Sequence, residues 1–207
     1  MFIKCISDGL VQSNVYIVGG NGEGIIIDCG CPVDNILKTI KANDLTAKHV
    51  ILTHGHFDHF YYINALRNQT DVTVHIHEQD ADYLSDPLLN GLALFSMDGV
   101  YKFSPADNLL KNGDILKSGG LKFQILHTPG HTKGGICIYV ENCVFTGDTL
   151  FKSSIGRTDF PGGSMNSIEK SIKEKLYTLP ENTVVYPGHG KSTTIGFEKK
   201  NNPYVRV

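Results

Sequence analysis

Apolar residues in this chain come in short runs separated by glycine, proline and asparagine. Runs of this length with period-two character predict strands, and the breaks predict turns. Phe2 to Ile6 alternates weakly. Asn14 to Val18 is a clearer strand, ended by the turn residues Gly19-Gly20-Asn21-Gly22. Gly24 to Asp28 is continuously apolar up to its acid, as expected of a strand covered on both faces. Helical spacing follows, with Asp34 as the expected cap of a helix to about Lys41 and Ile36, Leu37 and Ile40 on one face. His49 to Leu52 predicts a strand, Phe60 to Arg67 a helix, Val72 to His77 a strand and Glu78 to Leu84 a short helix. Further strands are expected at Asp114–Leu116, Leu121–Leu126 and Thr183–Tyr186. Gly135–Val140 and Cys143–Thr146 predict a hairpin about Glu141-Asn142. Phe151 to Gly163 predicts a loop, and Asn166 or Ser167 is the expected cap of a helix to about Tyr177. The segment 85–108 has no clear period, and a stretch that long inside a compact domain is usually functional or mobile. Its Leu88, Leu89, Leu92, Leu94 and Phe95 suit a lid, a partner surface or a core.

Composition narrows the class. The 207 residues suit one large domain or two small ones, and 41% apolar with 19% charged residues is a globular balance. A formal charge of −2 gives no reason to expect nucleic acid or an anionic membrane as partner. No apolar run is long enough to span a bilayer, and the N-terminus lacks the pattern of a signal peptide. The five cysteines are odd in number and lack zinc-finger or thioredoxin spacing. They read as reduced thiols, with Cys5, Cys137 and Cys143 buried in strands, and the cytoplasm is the expected location. Cys29 and Cys31 fall in a loop, and no catalytic role is expected of them.

The chemistry concentrates in Thr53-His54-Gly55-His56-Phe57-Asp58-His59, where four metal-capable side chains fall within six positions. His131, Asp148 and His189 then recur beside glycine, each after an apolar run. Imidazole and carboxylate suit zinc, iron or manganese without sulfur. Seven donors exceed what one catalytic zinc takes, and suit two ions about 3.5–4 Å apart with one acid between them. Such a pair lowers the pKa of bound water to about 7, which provides a hydroxide nucleophile at neutral pH. His75 and His77 lack a following Asp-His and read as surface or outer residues; His127 reads as structural or as an outer partner. Arg157 has two readings: a contact to an anionic substrate, or a structural partner of Asp159 or of the next helix.

The motifs THGHFDH, GHT at 130–132, GDT at 147–149 and PGHG at 187–190 resemble those of the metallo-β-lactamase superfamily over nearly the whole chain. The resemblance implies an α/β (α+β) fold, a four-layer αββα sandwich over residues 1–207, with metals at one sheet edge. It implies a first ion on His54, His56 and His131, a second on Asp58, His59 and His189, and Asp148 as the bridge. Asp58, His59 and Asp148 would carry the catalytic roles. Gly147-Asp148-Thr149-Leu150-Phe151 with Gly156-Arg157-Thr158-Asp159 is similar to the short relatives of glyoxalase II, the hydroxyacylglutathione hydrolases. That implies hydrolysis of a small thioester such as S-D-lactoylglutathione, with two divalent ions, zinc first and iron or manganese as options, and Arg157 and Phe151 as substrate contacts. Three departures bear on substrate. Family members often have Gly-Gly after Asp-His, where this chain has Phe60-Tyr61-Tyr62. Full-length glyoxalase II has a glutathione-binding helical region, whereas only a short tail follows His189. The Gly156-Arg157-Thr158-Asp159-Phe160 loop is also similar to that of persulfide dioxygenases, which use one iron. Monomer and dimer both stay open.

Overall fold

The computed structural model describes residues 1–95 and 102–206. Six strands form the first sheet: β1 (Phe2–Ile6), β2 (Val15–Gly20), β3 (Glu23–Ile27), β4 (Thr46–Ile51), β5 (Thr73–His77) and β6 (Asn108–Leu110), in that spatial order. The first three are antiparallel and the last four run parallel. The crossover α1 (Val33–Ala42) joins β3 to β4, and α2 (Ile63–Arg67) lies between β4 and β5.

The second sheet contains β7 (Ile115–Ser118), β8 (Leu121–His127), β9 (Ile136–Val140) and β10 (Cys143–Gly147). A small hairpin, β11 (Leu150–Phe151) with β12 (Ser154–Ile155), and α3 (Met165–Ser171) follow. The chain then adds β13 (Val184–Pro187), β14 (Thr193–Thr194) and α4 (Ile195–Asn201). The spatial order of this sheet is β14-β13-β10-β9-β8-β7.

Three apolar layers separate four structural ones. Val15, Ile17, Ile26 and Val50 pack on Ile36, Ile40, Ile63 and Leu66 of the first helical layer. Val18, Ile25 and Ile27 meet Phe123, Ile125, Ile138 and Phe145 between the sheets. Val144 and Val185 pack on Ile168, Ile172 and Ile195 outside the second sheet. This is the αββα sandwich. Among the described residues no helix is long and apolar enough to cross a membrane.

Several local expectations change. Helix α1 begins at Val33 with Pro32 as its cap, so Asp34 sits in the first turn, where its charge meets the helix dipole. The helix expected over 60–67 is only Ile63–Arg67, because Phe57–His59 form a 3₁₀ turn. The irregular stretch holds a 3₁₀ turn at Leu92–Phe95 and the strand β6, with Leu92 buried and Leu88, Leu94 and Phe95 exposed. Residues 96–101 of that stretch lie outside the described residues. Cys5 is exposed, because β1 is an edge strand, whereas Cys137 and Cys143 are buried as expected.

The cap of α3 is neither Asn166 nor Ser167. Ser164 Oγ accepts the amide of Ser167 at 3.3 Å. Ser164→Ala should therefore lower unfolding free energy in urea by about 1 kcal/mol. Ser167→Ala should leave it nearly unchanged; equal losses in both would contradict the capping geometry.

Candidate metal centre

Strands β8 and β10 are each antiparallel to β9, and β13 is parallel to β10. Their C-terminal ends therefore share one edge, and His131, Asp148 and His189 lie in the loops that leave it. The first sheet joins this edge through Thr53, whose carbonyl accepts the amide of Ile136 at 2.8 Å. That bond brings the 54–59 loop over the same point.

The seven predicted donors converge. The ligand atoms of His54, His56 and His131 form one close group, and those of Asp58, His59 and His189 form another. His56 Nδ1 lies 2.8 Å from His131 Nε2. His189 Nε2 lies 3.2 Å from both Asp58 Oδ2 and His59 Nε2. Asp148 sits between the groups: Oδ1 is 3.5 Å from His59 Nε2, and Oδ2 is 3.6 Å from both His131 Nε2 and His189 Nε2. His54 Nε2 and Asp148 Oδ1 are buried and lack a hydrogen-bond partner. Buried polar atoms left unpaired are costly, and lone pairs aimed at a common point fit a cation.

Neighbouring hydrogen bonds orient the rings. His59 Nδ1 donates to Asp28 Oδ2 at 2.8 Å, and His131 Nδ1 donates to the Arg157 carbonyl at 2.7 Å. Thr53 Oγ1 donates to Asp28 Oδ2 at 2.8 Å and so accepts from His54 Nδ1 at 3.1 Å. Each bond places a proton on Nδ1 and makes Nε2 the nitrogen presented to the cluster, the usual device for orienting metal-bound histidine. Asp28 makes these contacts from a left-handed backbone, φ 62°.

The two halves differ in charge. Burial, then the neighbouring imidazoles, holds His54 well below its ordinary value, and the same causes pull His56 down to about 3. Burial acts the same way on His59, but the carboxylates of Asp58, Asp148 and Asp28 outweigh it and push this imidazole up to about 10. Burial would raise the Asp58 carboxyl, yet His59 and His189 bring it down to about 2. For the protein groups alone, His54 and His56 are thus neutral near pH 7, whereas His59 is an imidazolium beside the Asp58 carboxylate. A cation entering the second trio must displace a proton.

Close approach depends on glycine. A Cβ on Gly188 would collide with Asp148 Oδ1 and His59. Gly147 has φ 46° and would place a Cβ 2.6 Å from Thr53. The start of β2 secures the last loop: Asn14 Nδ2 donates to the carbonyls of Pro187 (2.9 Å) and Gly190 (3.0 Å), while Ser13 Oγ donates to the Asp58 carbonyl at 2.6 Å.

A cavity of about 170 Å³ opens over the cluster, with Val11, Phe57, Phe95 and Phe160 as apolar walls and Arg157 at its side. The Arg157 guanidinium donates to Asp159 through Nε (2.8 Å) and Nη2 (2.7 Å) and lies 3.7 Å from the Phe160 ring centre. Its structural pairing and its place beside the cavity therefore coexist. Phe151 is not part of that wall; its ring lies 6.2 Å from His189.

Other histidines stay apart. His75 and His77 are not surface residues: both are buried, with His75 Nε2 3.1 Å from His49 Nδ1 and His77 stacked on His127 at 4.0 Å. Strand alternation points them into the space between the sheets. Cys29 and Cys31 are fully buried, and burial raises both thiols, Cys31 to about 12, which removes the thiolate a nucleophile needs. Sequence reasoning missed Asp28, Asp80, Ser13 and Asn14. The only signal for Asp28 was an acid ending an apolar strand.

Known proteins resemble this chain over nearly its whole length. A family model described as the metallo-beta-lactamase superfamily matches residues 8–189. The hydroxyacylglutathione hydrolase GloC of Haemophilus influenzae is 37% identical over 99% of this chain and 98% of its own length. The crystal structure of BLEG-1 B3 metallo-beta-lactamase is 37% identical, covers 100% of both chains and superposes with a TM-score of 0.93. A structure of TTHA1623 in a di-iron-bound form is 32% identical over 99% of this chain and 100% of that one, with a TM-score of 0.86.

Proposed function

The chain belongs to the metallo-β-lactamase superfamily, and we propose that within it this metallo-hydrolase cleaves small thioesters of the acyl-glutathione type. The observation that carries the reading is the convergence of His54, His56, Asp58, His59, His131, Asp148 and His189, with Asp148 facing both trios. His54, His56 and His131 would hold one divalent ion, Asp58, His59 and His189 a second, and Asp148 both. Zinc is the first candidate, with iron and manganese suited to the same donors; the di-iron form of a relative supports two ions. Such ions, when bound, acidify water and polarise a carbonyl.

The protein's own groups supply position. Asp28 and the Arg157 carbonyl keep the Nδ1 protons in place on His59 and His131. Asp58 Oδ2, 3.2 Å from His189 Nε2, presents a charged oxygen to the second group of donors. Phe160, edge-on to His56 at 5.5 Å, keeps one wall apolar, which favours an uncharged reacting carbonyl. The thioester assignment draws on the GDTLF and GRTD loops and on the likeness to GloC. We take residues 1–207 as one hydrolase domain; the free thiols suit a reducing cytoplasm.

A second reading, a mononuclear-iron persulfide dioxygenase, draws on the Gly156-Arg157-Thr158-Asp159-Phe160 loop, whose Arg157 carbonyl touches His131. Protein stripped by a chelator and reloaded with zinc, iron or manganese separates the two. S-lactoylglutathione hydrolysis is expected to vanish on stripping and return with metal. Oxygen uptake with glutathione persulfide, one iron per chain and no hydrolysis would reject the thioesterase. Cleavage of a β-lactam in place of the thioester would move the substrate class toward that named for BLEG-1.

A further inference from the structure

The first trio draws its histidines from two separate loops, and one buried carboxylate outside the donor set touches both. Asp80 is fully buried in the 3₁₀ turn Glu78–Leu84 after β5. Its Oδ2 accepts the amide of Gly55 at 3.0 Å and the hydroxyl of Thr132 at 2.6 Å. Its Oδ1 accepts the amide of Gly134 at 2.6 Å. Gly55 lies between His54 and His56, and Thr132 follows His131. The same approach explains Gly134, where a Cβ would sit 2.7 Å from Asp80 Cγ.

We propose that Asp80 is a positioning residue for the first metal site, fixing the His54-Gly55-His56 loop against the His131 loop through these three bonds. The inference rests on the metal reading above. The need for such a brace follows from His56 Nδ1 and His131 Nε2, which face each other at 2.8 Å from different loops. A cation held there would take both lone pairs, and with them any hydrogen bond the two rings share, so a carboxylate accepting from both loops is what keeps the loops together. Only a carboxylate suits the position, since all three partners donate. An asparagine with its oxygen at the Oδ2 place keeps Gly55 and Thr132 but turns its NH₂ on the Gly134 N–H; with its oxygen at the Oδ1 place it keeps Gly134 and turns its NH₂ on the Gly55 N–H. Either way one of the three bonds becomes a donor–donor contact and the brace is weakened.

The test uses whole protein, stripped and titrated with cobalt(II). Wild type and Asp80→Asn are compared, with His56→Ala and His189→Ala as spectral references for loss of one site or the other. Asp80→Asn should weaken first-site cobalt binding about tenfold, the lower end of what outer partners of a metal cost. Its partly loaded absorption spectrum should match that of His56→Ala. Thr132→Val, which removes one bond of the three, should shift affinity the same way by less, and it decides the matter if Asp80→Asn does not fold. Unchanged cobalt affinity in the variant that folds, or a spectrum matching His189→Ala, overturns the proposal while leaving the metal reading intact. Wild-type protein that takes up no cobalt refutes the metal reading, and this proposal with it.

Discussion

Asp148→Ala is expected to lower both metal content and turnover, with kcat/KM falling by more than about 100-fold. The bound is the upper end of the roughly 10- to 100-fold seen when outer hydrogen-bond partners of a metal are removed; Asp148 stands inside that shell. Its two oxygens lie 3.5–3.6 Å from His59, His131 and His189, donors that belong to different trios. Removing it leaves the imidazoles of both groups without the one carboxylate that faces them all. On the two-ion reading, both ions would be held more weakly, because Asp148 is the acid that faces both groups. Metal analysis after gel filtration and a thioester assay on the same sample are the measurements. Full metal content with normal turnover would end the bridging assignment.

Asp28→Asn should fold, yet lose metal affinity by about 100-fold, the upper end of the same range. Asparagine tolerates the left-handed backbone at this position, so φ 62° is preserved. The chemistry is not preserved. Asp28 Oδ1 accepts the amide of Thr53 at 2.7 Å, so an amide oxygen is needed there. The NH₂ then occupies the place of Oδ2 and faces His59 Nδ1. That ring must become an acceptor at Nδ1 and move its proton to Nε2, the atom aimed at Asp58, Asp148 and His189. A histidine protonated at its metal-facing nitrogen is no ligand, and a wrong tautomer of this kind is costly in hydrolases that depend on an Asp–His pair. The disturbance reaches His54 as well, because Thr53 Oγ1 links it to the same carboxylate. Nitrogen-15 shifts of the His59 ring, read beside a zinc competition titration, report tautomer and affinity together. Wild-type affinity with the proton moved to Nε2 would show that the Asp28 bond does not set the metal site.

The pKa directions give the two halves different responses to acid. His59 is raised, so in the protein without metal its charged form contributes stability below the ordinary histidine pKa, and that contribution is lost as pH rises toward 10. A cation competes with the same proton and gains as pH rises. His54 and His56 are lowered by burial and compete little near neutrality. On the two-ion reading, acidification should therefore release the ion of the Asp58–His59–His189 group first, which metal content after dialysis over a pH series checks: retention of that ion while the His54–His56–His131 ion leaves would contradict it.

The sequence by itself determined the strand-length apolar runs and the helices between them; the αββα layering was implied only by the resemblance of the metal-site motifs to the metallo-β-lactamase superfamily. It also singled out the seven candidate donors, since histidine and aspartate recur beside glycine at the ends of those runs. What only the tertiary structure decided is how these donors are held. Asp28 was legible only as the end of a strand, and Asp80 only as one acid in a short helix. Each gains its role from partners far along the chain: Thr53 and His59 for the first, Gly55, Thr132 and Gly134 for the second. The same holds for His75 and His77, whose spacing imitates a ligand pair but whose strand directs them between the sheets. Periodicity records which face of an element is buried. It carries no record of which distant loop a carboxylate meets once the two sheets have closed.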